Sequence, residues 1–123
     1  MATMRFHKDH CWVRSEGEIG IIGISDFAQK QMGSIIYVEL PETGRELTTG
    51  EEFGAIESSK TTSDLIAPVS GEVLESNLGL DNDPAPINHF PYDQGWITRI
   101  KLSRPDELDE LMAEEDYLAM VNG

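Results

Sequence analysis

Glu57-Ser58-Ser59-Lys60-Thr61-Thr62-Ser63-Asp64 lies near the middle of the 123-residue chain, and its reading decides the fold. Glu52-Phe53-Gly54-Ala55-Ile56 leads into it and Asp64-Leu65-Ile66-Ala67 leads out, two short segments with strand character. Small polar residues fill the apex, so the segment is predicted to be a β-hairpin with Lys60 at its tip. Lys60 is the only Lys or Arg between Arg45 and Arg99, a window crowded with Glu51, Glu52, Glu57, Asp64, Glu72, Glu75, Asp81, Asp83 and Asp93. A lysine there carries its amine on a four-carbon stem into water, within reach of a modifying enzyme. Most lysines in polar turns are ordinary surface residues. Isolation among acids, mirrored flanking strands and hydroxyl neighbours set this one apart.

Working outward, Cys11-Trp12-Val13-Arg14 reads as a short strand turned back by Ser15-Glu16-Gly17-Glu18 into the apolar run Ile19–Ile24. The glycines of that run suggest close packing or a bulge. Ser25 to Gly33 has a capping residue at one end and a helix-stopping glycine at the other, which predicts two helical turns. Ser34 to Leu40 is the clearest strand, with Ile36, Val38 and Leu40 expected on one face and Ile35, Tyr37 and Glu39 on the other. Pro41-Glu42-Thr43-Gly44 suits a tight turn. Beyond the lysine hairpin, Glu72–Glu75 is a further strand, Leu78 to Tyr92 is expected to be mostly loop, and Trp96–Leu102 resumes strand alternation. Ser103 is placed to cap a helical tail beginning with Pro105, Asp106 and Glu107, with Leu108, Leu111 and Met112 as one stripe and Tyr117, Leu118 and Val121 as another. Many short strands, one internal helix and a helical tail favour two packed antiparallel sheets.

The length suits one domain over residues 1–123, with the tail starting at about residue 104. No run approaches the roughly 20 apolar residues that span a bilayer. The amino terminus lacks the features of a signal or transit peptide, so the cytoplasm is the expected compartment. A lone cysteine, Cys11, cannot close an intramolecular disulfide. The net charge of −14 opposes binding to nucleic acid or an anionic membrane. It suits a carrier docking on basic enzyme surfaces, and equally a surface kept soluble in salt.

His7-x-x-His10-Cys11 invites a metal reading, but a structural zinc needs four ligands and only distant His89 remains among the histidines and cysteines. Cys11 beside His10 invites a nucleophile reading, but neighbours along a strand face opposite ways. No catalytic or metal-binding residue is therefore assigned.

Six stretches, in order, are similar to those of the glycine cleavage H-protein family. They are His10-Cys11-Trp12-Val13, Gly23-Ile24-Ser25-Asp26-Phe27-Ala28, Val38-Glu39-Leu40-Pro41-Glu42-x-Gly44, the segment from Glu57 to Val73, Pro91-Tyr92-x-x-Gly95-Trp96 and Pro105-Asp106-Glu107-Leu108. The resemblance implies a mainly β chain folded as a flattened β-sandwich of the lipoyl/biotinyl-domain (barrel-sandwich hybrid) type, with a short internal helix and C-terminal helices outside it. It implies lipoate joined to Lys60 by an amide, with Glu57, Ser59, Thr61 and Asp64 around the attachment site and Asp9 and Cys11 in a cleft for the arm. A tethered arm reaches successive active sites at high effective concentration, so the carrier needs no turnover of its own. A lipoate-attaching enzyme is an expected partner, and the expected state is a monomer. Biotin-carrier domains share the fold but place Met on both sides of the lysine, where this chain has Ser59 and Thr61.

The chain departs from the family at two places. The resemblance puts a carboxylate beside the cationic amine of an aminomethyl cargo, on the Glu of His-Glu-Trp-Val, and here that position is Cys11. A neutral thiol cannot supply the charge-assisted bond an ammonium prefers, which leaves Asp9 and Asp64 to compensate. Thr61 and Thr62 also replace the small, often alanine-containing sequence that follows the family's lysine. On these grounds the sequence leans toward the lipoate-binding proteins of bacterial sulfur oxidation, whose arm serves a heterodisulfide-reductase-like complex. The alternative is the aminomethyl carrier of the glycine cleavage system, with glycine decarboxylase, aminomethyltransferase and dihydrolipoyl dehydrogenase as partners. A biotinyl carrier or an unmodified structural module ranks behind both.

Overall fold

Gly17, at φ 64°, lets the chain reverse on two residues, and this turn joins β2 (Cys11–Glu16) to β3 (Ile19–Ile24) in unbroken register. The structure is a computed structural model that describes residues 3–122. Around that hairpin an antiparallel sheet assembles from β1 (Thr3–Phe6), β2, β3, β9 (Thr98–Leu102), β8 (Gly71–Ser76) and β5 (Glu46–Leu47), in that spatial order. A second sheet holds β4 (Ile35–Glu39), β6 (Glu52–Ser58) and β7 (Thr62–Ile66), with β6 in the centre. All pairings are antiparallel, and Val13, Ile22, Val73 and Ile100 of the larger sheet share one buried core with Val38, Phe53, Ile56 and Leu65 of the smaller.

A second cluster, Phe6, Trp12, Ile21 and Tyr117, lies on the outer face of the larger sheet, where α4 (Glu114–Asn122) packs. Gly23 of β3 has its reason here. A Cβ at Gly23 would stand 2.5 Å from Trp12 Cζ2, so the indole needs the bare backbone beneath it. Trp12 Nε1 then donates to the carbonyls of Ile24 and Pro91, each at 2.9 Å, and its buried N–H is satisfied.

α1 (Asp26–Met32) starts as expected, with Ser25 Oγ accepting from the Ala28 N–H, and ends at Gly33, φ 82°. Other expectations are corrected. In β4 the register shifts between Ile35 and Tyr37, a bulge that puts Ile35 and Val38 on the core side and leaves Ile36 and Tyr37 exposed. The proposed Ile36–Val38–Leu40 face does not exist. Residues 78–92 contain two short helices, α2 (Gly79–Asn82) and α3 (Ala85–His89), where loop was expected. Ser103 caps nothing: Pro105–Glu110 is a 3-10 helix with Arg104 at its start and no side-chain cap. Among the described residues, no helix is long and apolar enough to cross a membrane.

Besides the packing of Tyr117, two sets of hydrogen bonds tie the 3-10 helix and the residues after it to the sandwich. Phe6 and Met112 exchange backbone hydrogen bonds of 2.8 and 2.9 Å, which covers part of the free edge of β1. The buried Glu107 carboxylate accepts from Ser70 N at 2.7 Å and from Ser70 Oγ at 2.9 Å, joining the 3-10 helix to the turn before β8. Glu107→Ala removes both bonds and strands a buried N–H, so it is expected to destabilise the fold by about 2 kcal/mol. Glu107→Gln, which keeps an acceptor, should lose less. Urea unfolding of the three proteins checks this, and equal midpoints would refute the clamp.

Candidate functional site

The β6–β7 hairpin turns on Ser58, whose buried hydroxyl oxygen accepts from the backbone N–H groups of Lys60 (3.2 Å) and Thr61 (3.1 Å). The Ser58 N–H donates to the Thr61 carbonyl at 2.8 Å, closing the turn. A side chain from within the strand thus holds the two apex amides, and Ser59 and Lys60 are left exposed. Ser59 N donates to the Ser34 carbonyl at 3.2 Å, fixing the apex against the start of β4.

The Lys60 stem lies over Gly33. A Cβ at Gly33 would come within 2.8 Å of Lys60 Cε, so the bare glycine leaves room for the far end of the lysine stem. Asn88 of α3 holds that junction: it accepts from Ile35 N at 2.8 Å and donates to the Gly33 carbonyl and Gln29 Oε1, each at 2.9 Å. Lys60 Nζ has no ion-pair partner among the described residues. An exposed, unpaired amine with its stem seated on bare backbone fits covalent attachment of an arm.

Beside this apex a cleft of about 400 Å³ runs along β7. Its walls are Thr61 to Leu65 on one side, α1 through Phe27, Ala28, Gln31 and Met32 on another, and Asp9, His10 and Cys11 on the third. Four of the residues singled out from sequence, Asp9, Cys11, Thr61 and Asp64, are brought together here. Glu57 and Ser59 do not line the cleft; Glu57 is exposed in β6 between Tyr37 and Thr62. The α1 wall was missed because its apolar residues read as packing alone, although the helix itself was legible.

Cys11 is only 1% exposed, and burial pushes its thiol up to about 12, so it is neutral and apolar in character. The charged groups lining the cleft are the exposed carboxylates of Asp9 and Asp64. Among the described residues, no group of three or more His, Cys, Asp or Glu side chains is placed to hold a metal ion. His10, at φ 78°, bonds Tyr117 Oη at 2.7 Å through Nδ1. Tyr117 Oη also meets Ser25 Oγ at 2.6 Å, so α4 ties the cap of α1 to the Asp9–Cys11 wall. With Nδ1 unprotonated the hydrogens run one way: Ala28 N–H to Ser25, Ser25 to Tyr117, Tyr117 to His10. A proton on Nδ1 reverses the last two bonds.

The comparisons agree with this geometry. The family model described as glycine cleavage H-protein matches residues 4–123. The chain belongs to the glycine cleavage H-protein family. It is 51% identical over 116 residues to the glycine cleavage system H protein of Symbiobacterium thermophilum, covering 94% of this chain and 91% of that one. It is 46% identical over 114 residues to the mitochondrial glycine cleavage system H protein of Pisum sativum, covering 93% of this chain and 69% of the relative. The crystal structure of a glycine cleavage system H protein from Mycobacterium marinum superposes with a TM-score of 0.89 at 32% identity, covering 98% and 97% of the two chains. H proteins carry lipoate covalently on a lysine and act as carriers, not catalysts.

The histidines beside the cleft make stability depend on pH. Burial holds His10 and His7 below 6.5; for His7 it outweighs the Asp9 carboxylate 3.4 Å away. The folded state therefore takes up these protons less readily than the unfolded chain. Their contribution is complete above 6.5 and is lost as pH falls through the lowered folded-state values. Asp26, held below 3.8 by Lys30 and Gln29, adds a loss only in stronger acid. The urea midpoint is expected to fall between about pH 7.5 and about pH 5, and His10→Gln should flatten part of the slope. A pH-independent midpoint in the unsubstituted protein would exclude this account.

Proposed function

We propose that Lys60 carries the lipoyl group and that the chain is the aminomethyl carrier of the glycine cleavage system. The observation that carries the reading is Lys60 at an exposed apex, its stem over Gly33, beside a cleft with two carboxylates at its rim. The proposed partners are glycine decarboxylase, aminomethyltransferase, dihydrolipoyl dehydrogenase and a lipoate-attaching enzyme, and the proposed setting is the cytoplasm. The family description and the relatives' names favour this cargo over the sulfur branch toward which Cys11 pointed.

Amide formation removes the Lys60 charge, and the bound group supplies a dithiolane that interconverts between disulfide and dithiol. The chain's own residues do the rest. Ser58 keeps the attachment point at the outer end of the hairpin. Phe27, Met32 and Leu65 offer the cleft apolar surface, while Asp9 and Asp64 offer negative charge to an ammonium. Cys11 fills the place where the family's glutamate is expected, without a charge.

Intact-mass measurement after treatment with lipoate and an attaching enzyme should show one lipoyl increment, absent in Lys60→Arg. That substitution should shift stability by less than about 0.5 kcal/mol, as at most exposed positions. Modification at another lysine would reject the site. With glycine decarboxylase and aminomethyltransferase, the lipoylated chain should sustain bicarbonate exchange into glycine. Asp64→Asn should reduce that exchange by about 2- to 5-fold, the scale of one exposed ion pair. No exchange from fully lipoylated protein would return the reading to the sulfur branch.

A further inference from the structure

α3, the five-residue helix that stands where loop was expected, is built into the sandwich. Ile87 is fully buried in the core, and the chain after it folds back tightly: a Cβ at Gly95 would stand 2.6 Å from the Pro86 carbonyl oxygen. Phe90 N donates to that same carbonyl at 2.7 Å. The helix is therefore a fixed point, and Asn88 reaches from it toward α1 and β4.

One planar amide there serves three segments. Its oxygen accepts from Ile35 N at the start of β4, and its N–H groups donate to the Gly33 carbonyl after α1 and to Gln29 Oε1 within α1. Only Asn and Gln combine an acceptor and two donors in one such group. Gln29 Nε2 in turn donates to Asp26 Oδ1 at 2.8 Å, and Asp26 pairs with Lys30 at 3.0 Å, so the network continues along α1.

The two backbone groups that Asn88 holds lie on either side of Ser34. The Ser34 carbonyl receives the Ser59 N–H from the hairpin apex at 3.2 Å, and Gly33 lies beneath the Lys60 stem. Both contacts between the apex and the α1–β4 junction thus fall on the segment that Asn88 grips from both ends. The Ser59 bond is already at the long end of the N–H···O range, so a small shift of Ser34 breaks it.

We propose that Asn88 is a positioning residue for Lys60, acting through Gly33 and Ser34 to set where the apex presents its amine to the lipoate-attaching enzyme. The proposal rests on the carrier reading above. Ser58 shapes the turn from within, whereas Asn88 fixes the turn against the sandwich from outside. An enzyme that must bring Nζ onto a reacting carbonyl loses rate when the amine is misplaced, even if it still binds the chain.

Two measurements on the full chain test it. In unlipoylated protein, hydrogen exchange at the Ser59 amide should quicken about 5-fold or more in Asn88→Ala, the scale of one lost hydrogen bond. With lipoate and the attaching enzyme, kcat for that variant should fall about tenfold while KM stays within about twofold. Asn88→Asp keeps the acceptor for Ile35 and loses both donors, so its effects should be intermediate, and it serves where the alanine variant does not fold. Glu107→Ala, destabilised at a remote clamp, should match the unsubstituted protein in both measurements. Unchanged Ser59 exchange or an unchanged attachment rate in both Asn88 variants overturns the proposal. Equal slowing in Glu107→Ala does so too, because it reduces the effect to general stability. No attachment to the unsubstituted chain defeats the carrier reading instead, and Ser59 exchange then still decides whether Asn88 holds the apex.

Discussion

One buried hydroxyl governs where Lys60 can be. Ser58 Oγ collects two backbone N–H groups from the apex, and both bonds are needed because a hairpin end has no ladder partner for them. The turn is thereby rigid while its side chains stay free, the combination an attachment point requires. A looser apex would let Lys60 wander relative to Gly33, and a buried one would hide it from the attaching enzyme. Strand register carries this rigidity inward, since β6 is paired on both sides.

The surroundings of that apex come from remote parts of the chain. Asn88 fixes the α1–β4 junction on which the Lys60 stem rests, and Tyr117 fixes the wall that holds Cys11. Neither side chain lines the cleft. Each ends in a polar group that joins two segments which would otherwise meet only through loops. The helices packed outside the sandwich therefore serve the site by holding its walls at fixed separation.

Much of this was legible in the sequence, and the failures have definite causes. The hairpin, β3 and the capped helix α1 carry local signals, alternation in one case and cap chemistry in another, so residues alone suffice. The β4 bulge inserts one residue into a period of two, and nothing in Ser34 to Leu40 announces it, because Ile35, Ile36 and Val38 are equally apolar. β1 and β5 are too short to carry a pattern and exist through their partners β2 and β8. The helices at residues 79–82 and 85–89 were hidden by Pro84 and Pro86, which read as loop but also suit the first turn of a helix. In the cleft, Asp9, Cys11, Thr61 and Asp64 were found, whereas Phe27 and Met32 were not. An apolar helix face looks the same whether it packs against a core or lines a cavity.

The buried thiol of Cys11 also bears on how strongly the cleft can grip a cation. A carboxylate at so buried a position would carry a desolvation penalty of several kcal/mol unless tightly paired, and would hold a cation strongly once paired. The thiol has no such penalty, and with its pKa near 12 it keeps the cleft wall neutral throughout the working range. Negative charge is left to Asp9 and Asp64 at the rim, in contact with water, where a pair is worth about 0 to 1 kcal/mol and is screened by salt. For a positively charged cargo that arrangement favours release over retention. Carriage then depends more on apolar shelter from α1 and β7 than on a fixed countercharge.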